Sequence, residues 1–119
     1  MNRGACFVYI IRSGRFYKIG FTNNLIRRVE TIQVSSPTPV EITIAGKFYD
    51  YRFIESFLHF LFRLKRQKGE WYALSIFELS VATLVLEQCA DGFIPSPQIK
   101  DNFWHGLSLK ELKMAYAEG

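Results

Sequence analysis

The run from Cys6 to Arg28, CFVYIIRSGRFYKIGFTNNLIRR, constrains the fold more than any other stretch, because it packs two strand signals, a turn and a helix start into one short span. Residues 7–11 and 15–19 are rich in aromatic and β-branched side chains, and Ser13-Gly14 between them reads as a two-residue hairpin turn. Placing Arg12 opposite Arg15 pairs Ile11 with Phe16, Ile10 with Tyr17, Tyr9 with Lys18 and Val8 with Ile19. Side chains alternate along a strand, so Tyr9 and Lys18 then share one face, while Val8, Ile10, Tyr17 and Ile19 form the apolar, buried one. An ammonium beside a phenol favours the phenolate and lowers its pKa. Tyr9 is therefore a candidate general base, with Lys18 as its activator.

After Gly20, Thr22-Asn23-Asn24 supplies N-cap side chains, and Leu25, Val29 and Ile32 recur at helical spacing, which predicts a helix over 24–33. Arg28 lies on the margin of that apolar stripe, where its guanidinium can reach the sheet edge; one of Arg27 and Arg28 reads as surface charge. Ser35-Ser36-Pro37-Thr38-Pro39 breaks the helix. VEITIAGKFY, residues 40–49, sets Val40, Ile42 and Ile44 inward against Glu41 and Thr43, a third strand loosened in its later half by Gly46. From Asp50 as cap, a long helix is expected to Gln67, with Arg52, Glu55, His59, Arg63 and Arg66 along one polar stripe. Gly69 ends it. Glu70-Trp71-Tyr72 reads as a short extended or turn segment docking two aromatics on the core.

Residues 75–89 are apolar over nearly the whole helical surface, so the helix is covered by its neighbours or by another subunit, the latter making a homodimer. Residues 91–105 have no period and read as an ordered loop or arm. Ser108-Leu109-Lys110-Glu111 is a capping box opening a last helix to Ala117. The expected fold is α/β of the α+β kind, a small three-stranded antiparallel sheet flanked by helices. The domain proper covers 1–90, and 91–119 packs on it or extends it.

A chain of 119 residues is one domain by size. Its net charge of +4 suits a phosphate-bearing partner. Cys6 and Cys89 have no partner at metal-knuckle spacing and read as packing thiols in a reducing, cytoplasmic setting. No leader pattern and no run of roughly 20 apolar residues is present, so no membrane association is expected.

Phe7-Val8-Tyr9, then Lys18-Ile19-Gly20, then Arg28 resembles the GIY-YIG nuclease superfamily, named for its two hairpin-strand motifs. Phe7 stands where the first motif has glycine and Lys18 where the second has tyrosine, with Tyr17 one place early on the opposite face. A shortened branch seen in phage proteins and in a fungal meiotically up-regulated protein reads K-I-G here. That branch also carries E-x-x-x-H on a later helix and E-W-F/Y after it, and this chain has Glu55 to His59 and Glu70-Trp71-Tyr72.

The resemblance implies a DNA endonuclease using Mg²⁺ or Mn²⁺. Tyr9 would be the base, Lys18 its activator, Arg28 the phosphate clamp and Glu55 the metal ligand. His59 would orient Glu55, bond the phosphate or accept a proton. Glu70 reads either as a further metal ligand or as a backbone cap, and Trp71 and Tyr72 read as core rather than a stacking platform. The superfamily's late asparagine has no counterpart at a supported spacing; Asn102 is the one late candidate. DNA, whether branched, single-stranded or duplex, would be held by Lys18, Arg27, Arg28, Arg52, Arg63, Lys65 and Arg66. The second class of function is a non-catalytic nucleic-acid or protein binding module on the same fold.

Overall fold

The hairpin forms as Cys6–Ser13 (β1) and Phe16–Thr22 (β2) in a computed structural model, which describes residues 4–91 and 103–118. Ser13 closes on Phe16, so the turn residues are Gly14-Arg15 rather than Ser13-Gly14. Gly14 has φ +62°, and a positive φ at the first central position is the type II′ geometry whose twist matches paired strands. This moves the expected register by two residues: Tyr9 faces Gly20, and Lys18 faces Ile11. A shift of two preserves the faces. Tyr9 and Lys18 still share a side, as diagonal neighbours instead of a direct pair.

The sheet has six antiparallel strands rather than three, in the order β4-β5-β2-β1-β3-β6. β3 is Val40–Phe48, β4 Arg66–Lys68, β5 Trp71–Tyr72 and β6 Phe103–Ser108. The helix expected to reach Gln67 stops at Leu61, followed by a 3₁₀ turn at Arg63–Lys65 and then β4. Gly69, with φ +57°, turns β4 into β5 instead of ending a helix. β6 occupies the end of the segment expected to be a loop; residues 92–102, and Asn102 with them, lie outside the described residues.

Both faces of the sheet are buried, which period-two patterning in the hairpin did not announce. Val8, Ile10, Ile19 and Ile44 pack on one side, and Phe7, Tyr9, Ile11, Val40, Ile42 and Ala45 on the other. Ile42 and Ile44 were expected on one face. The β1–β3 register shifts between Ile10–Ile44 and Ile11–Ile42, leaving Thr43 as an extra residue that sends the two isoleucines to opposite faces. Gly46 does not loosen this strand, which stays paired through Phe48.

Among the described residues, four helices cover the faces. α1, Leu25–Val34, is capped by Asn24, whose Oδ1 accepts from the Arg27 N–H. It lies on the Tyr9 side with α4, Leu109–Glu118, whose Leu112 is buried there and whose Lys113 pairs with Glu30 at 2.8 Å. The Ser108/Glu111 capping box forms as expected. α2, Tyr51–Leu61, and α3, Ile76–Asp91, cover the Val8 side. Asp50 stands at the N-cap of α2 but makes no side-chain cap bond. Ala82 and Leu86 of α3 are buried, yet Ile76, Phe77 and Leu84 are exposed, so its neighbours cover one side of it only. Among the described residues no helix is long and apolar enough to cross a membrane.

Candidate active site

The site forms where the β5 edge of β2 runs out. Pairing there ends with the Ile19 N–H donating to the Glu70 carbonyl at 3.2 Å, and His59 Nε2 lies 2.9 Å from the Ile19 carbonyl. A carbonyl accepts, so Nε2 carries the proton and Nδ1 is the ring nitrogen left to accept one. Glu55, one helical turn earlier, sits 3.7 Å from the same Nε2. The Tyr72 ring lies 5.6 Å from the imidazole, centroid to centroid, and backs it.

Tyr9 reaches this edge from the other face of the sheet, across Gly20. A Cβ on Gly20 would meet Tyr9 Oη at 2.6 Å and Cζ at 2.9 Å, with Glu70 Oε1 at 3.3 Å from the same point. The absence of a side chain at residue 20 is therefore what lets the phenol through. Tyr9 is 1% exposed, and burial pushes its hydroxyl up to about 12. The Arg28 guanidinium opposes that shift by charge and by its hydrogen bond to the phenol, while Glu70 and Glu55 reinforce it.

This corrects the expected activation of Tyr9 in both sign and agent. Lys18 sits diagonal to the phenol, 3.7 Å from Glu70 Oε1 and 5.3 Å from the Trp71 ring centroid. Its charge is spent on a carboxylate and an indole, and Arg28 is the cation that acts on Tyr9.

Glu55 is raised above the ordinary carboxyl range, first by burial; His59 lowers it, Glu70 raises it and Arg52 lowers it. The Glu70 carboxylate thus opposes ionisation of Glu55 beside a phenol and an imidazole.

Every one of these side chains falls inside residues 6–90, which match the T5orf172 domain family. The chain belongs to the T5orf172 domain family. No curated protein and no solved structure gives a significant match.

Within this T5orf172 domain, Tyr9, Arg28, Glu55 and His59 come together as a group, and Lys18 joins them through Glu70. Arg52 acts on Glu55 and lies over the Phe21 and Tyr51 rings. Arg63, Lys65 and Arg66 do not continue the α2 stripe, because the helix has ended before them. Arg63 donates to the Phe60 carbonyl at 2.8 Å, Lys65 pairs with Glu78 at 3.3 Å, and Arg66 and Arg27 are exposed.

Glu70 was left between a metal ligand and a backbone cap by the sequence. Its side chain faces Lys18, Tyr9 and Glu55, and its backbone carbonyl accepts from the Ile19 N–H. The signal was the E-W-Y motif itself. Tyr72 is core as expected, but Trp71 is only partly buried.

Proposed function

We propose that this T5orf172 domain is a metal-dependent DNA endonuclease of the GIY-YIG type. The observation that carries the reading is the convergence on Gly20 of a phenol, two carboxylates, an imidazole and a guanidinium supplied by four separate segments. Membership of a family found in phage and related proteins and often linked to such nucleases supports it.

The donor set fits Mg²⁺ or Mn²⁺. No cluster of three or more His, Cys, Asp or Glu is present among the described residues, but these hard cations are commonly held by one or two carboxylates with water completing the shell. Glu55 would be the ligand, with Glu70 beside it, and a dication there would relieve the rise that burial and Glu70 impose on the Glu55 carboxyl. Bound there, the ion would polarise the phosphate oxygens and offset the negative charge that resists ionisation of Tyr9.

The chain's own groups then divide the work. Arg28 holds the phosphate through its planar fork while lowering the phenol pKa. Tyr9, once ionised, takes the proton of the attacking water, and His59, held 3.7 Å from Glu55 by its bond to the Ile19 carbonyl, offers Nδ1 as a second proton acceptor. Lys18 holds Glu70 in place. With its hydroxyl near 12, Tyr9 holds its proton at neutral pH and the phenolate that acts as base is scarce, so the rate should climb as pH rises above 7.

Nicking of supercoiled DNA in Mg²⁺ or Mn²⁺ is the test. Glu55→Gln should abolish metal-dependent cleavage while DNA binding persists, and Tyr9→Phe should reduce the rate by about 10²–10⁴. Equal rates for wild type and Tyr9→Phe would remove Tyr9 from the chemistry. The second reading, a binding module without catalysis, is favoured by the protonated Tyr9 and by the Lys18–Glu70 pair; it is left standing if wild type cuts neither supercoiled, linear nor single-stranded DNA in either metal.

We further propose a cytoplasmic homodimer. Phe53 and Phe60 of α2, Leu64 of the 3₁₀ turn, and Ile76 and Phe77 of α3 are 70, 62, 87, 83 and 76% exposed, and α2 and α3 cover the Val8 side of the sheet. At roughly 150–250 Å² per large aromatic, such a surface approaches the about 800 Å² per partner of a standard interface. Sedimentation should show a concentration-dependent dimer that Phe53→Ser/Phe77→Ser dissociates, and a wild-type monomer throughout would refute it.

A further inference from the structure

Beyond the Lys18–Trp71 step, the Tyr9 side of the domain opens into a cleft of about 630 Å³. Three loops wall it: the β1–β2 turn, the Ser35–Thr38 segment between α1 and β3, and the β4–β5 hairpin. Its apolar surface includes Phe16 and Trp71, and its rim carries Arg15 and Lys68. Among the described residues neither cation is paired with a carboxylate, in contrast to Lys18 and Lys65. Arg15 lies 5.5 Å from the Phe16 ring centroid, a cation and an aromatic presented together.

The wall opposite is held rigid from within. Ser13 Oγ shares hydrogen bonds with the Ser36 and Thr38 hydroxyls, Ser36 also donates to the Thr38 carbonyl, and Gln33 clamps the segment by donating to that carbonyl and accepting from the Val40 N–H. The cleft is thus a formed concavity with flat aromatic surfaces and free positive charge. Those are the two elements of single-strand recognition, a stacking platform and a phosphate-tracking cation.

It is also continuous with the candidate active site. Trp71 pairs across from Lys18, Glu70 precedes it, and Phe16 lies on the same face of β2 as Gly20. Four residue steps of strand run from Phe16 to Gly20, about 13 Å at roughly 3.3 Å per residue. That span is a few nucleotides.

Resting on the nuclease reading above, we propose that the cleft between the β1–β2 turn, the Ser35–Thr38 segment and the β4–β5 hairpin receives an unpaired base of the substrate strand. The base stacks on Phe16 and Trp71, and Arg15 and Lys68 hold the flanking phosphates. Duplex DNA keeps its bases in the helix and cannot fill the cleft. The domain therefore selects single-stranded or locally unpaired DNA next to the cut.

The experiment is fluorescence anisotropy in chelator, so that no cleavage intrudes, with a labelled short oligothymidylate and a duplex of equal length. Wild type should bind the single strand about tenfold more tightly. Phe16→Ala and, independently, the surface variant Arg15→Glu/Lys68→Glu should each weaken single-strand binding by about tenfold, the scale of one stacked base, and narrow the gap to duplex. The second variant replaces only exposed side chains, so it keeps the question answerable if Phe16→Ala fails to fold. Equal affinity for the two DNAs, unchanged binding by the surface variant, or binding of neither DNA overturns the inference. Displacement of the strand by thymidine monophosphate at comparable concentration would also overturn it, since the cleft would then serve a free nucleotide. Single-strand preference without cleavage in metal would sustain the cleft while removing the nuclease, and cleavage with indifferent cleft variants would do the reverse.

Discussion

Burial and the neighbouring Glu70 hold the Glu55 carboxyl above its ordinary 4.5, and His59 and Arg52 offset part of that rise. A raised pKa means the folded state retains the proton that the unfolded chain releases. The associated stability is present below 4.5 and is lost as pH rises through the folded value, so at neutral pH the charged Glu55 works against folding. Glu55→Gln should raise Tm at pH 7 in chelator, with the gain disappearing below pH 4.5. A variant less stable than wild type at pH 7 would show Glu55 to be a structural residue. At the same scale, Arg28 rather than Lys18 meets the phenol because of reach: a guanidinium on the margin of α1 approaches from above the sheet, whereas an ammonium on the neighbouring strand is taken up by Glu70 and Trp71.

Among the elements, β2 owes its place in the site to Gly20. Its φ is not positive, so backbone freedom is not the reason for glycine; the space above it is filled by Tyr9. Gly20→Ala would force a buried ring aside, and overpacking of this kind costs about 1–3 kcal/mol. Urea unfolding should show a loss on that scale, and pairing it with Tyr9→Ala should recover part of it, since the obstructing ring is gone. Full additivity of the two changes would mean that the clash is not what Gly20 avoids. The bulge at Thr43 has a comparable effect, since one extra residue lets β3 bury side chains on both faces and support a helix layer on each.

For the whole molecule, DNA attraction rests on a modest excess of cations, with Lys18 and Lys65 partly neutralised by Glu70 and Glu78. Of the seven cations expected from the sequence to hold DNA, Arg27, Arg28, Arg52, Arg63 and Arg66 remain for phosphate. With about four such contacts, affinity should fall about a hundredfold between roughly 50 and 200 mM salt. A flat titration would exclude a phosphate-led interface.

Local chemistry was readable along the chain. Asn24 and Ser108 cap because their oxygens reach an N–H three residues on, Gly14 marks the hairpin by its positive φ, and the apolar spacing of Leu25, Val29 and Ile32 sets a buried stripe. Period-two alternation also placed Tyr9 and Lys18 on one face, because parity survives a register shift of two. What lay beyond such reading depends on groups remote in sequence. The extra strands arise where residues 66–68, 71–72 and 103–108 meet sheet edges, and none has a long enough apolar pattern to declare itself. The rise of Tyr9 to about 12 comes from burial under α1 and α4 and from two carboxylates more than forty residues away. Spacing encodes a residue's face, but its charge state is decided by what the folded chain places around it.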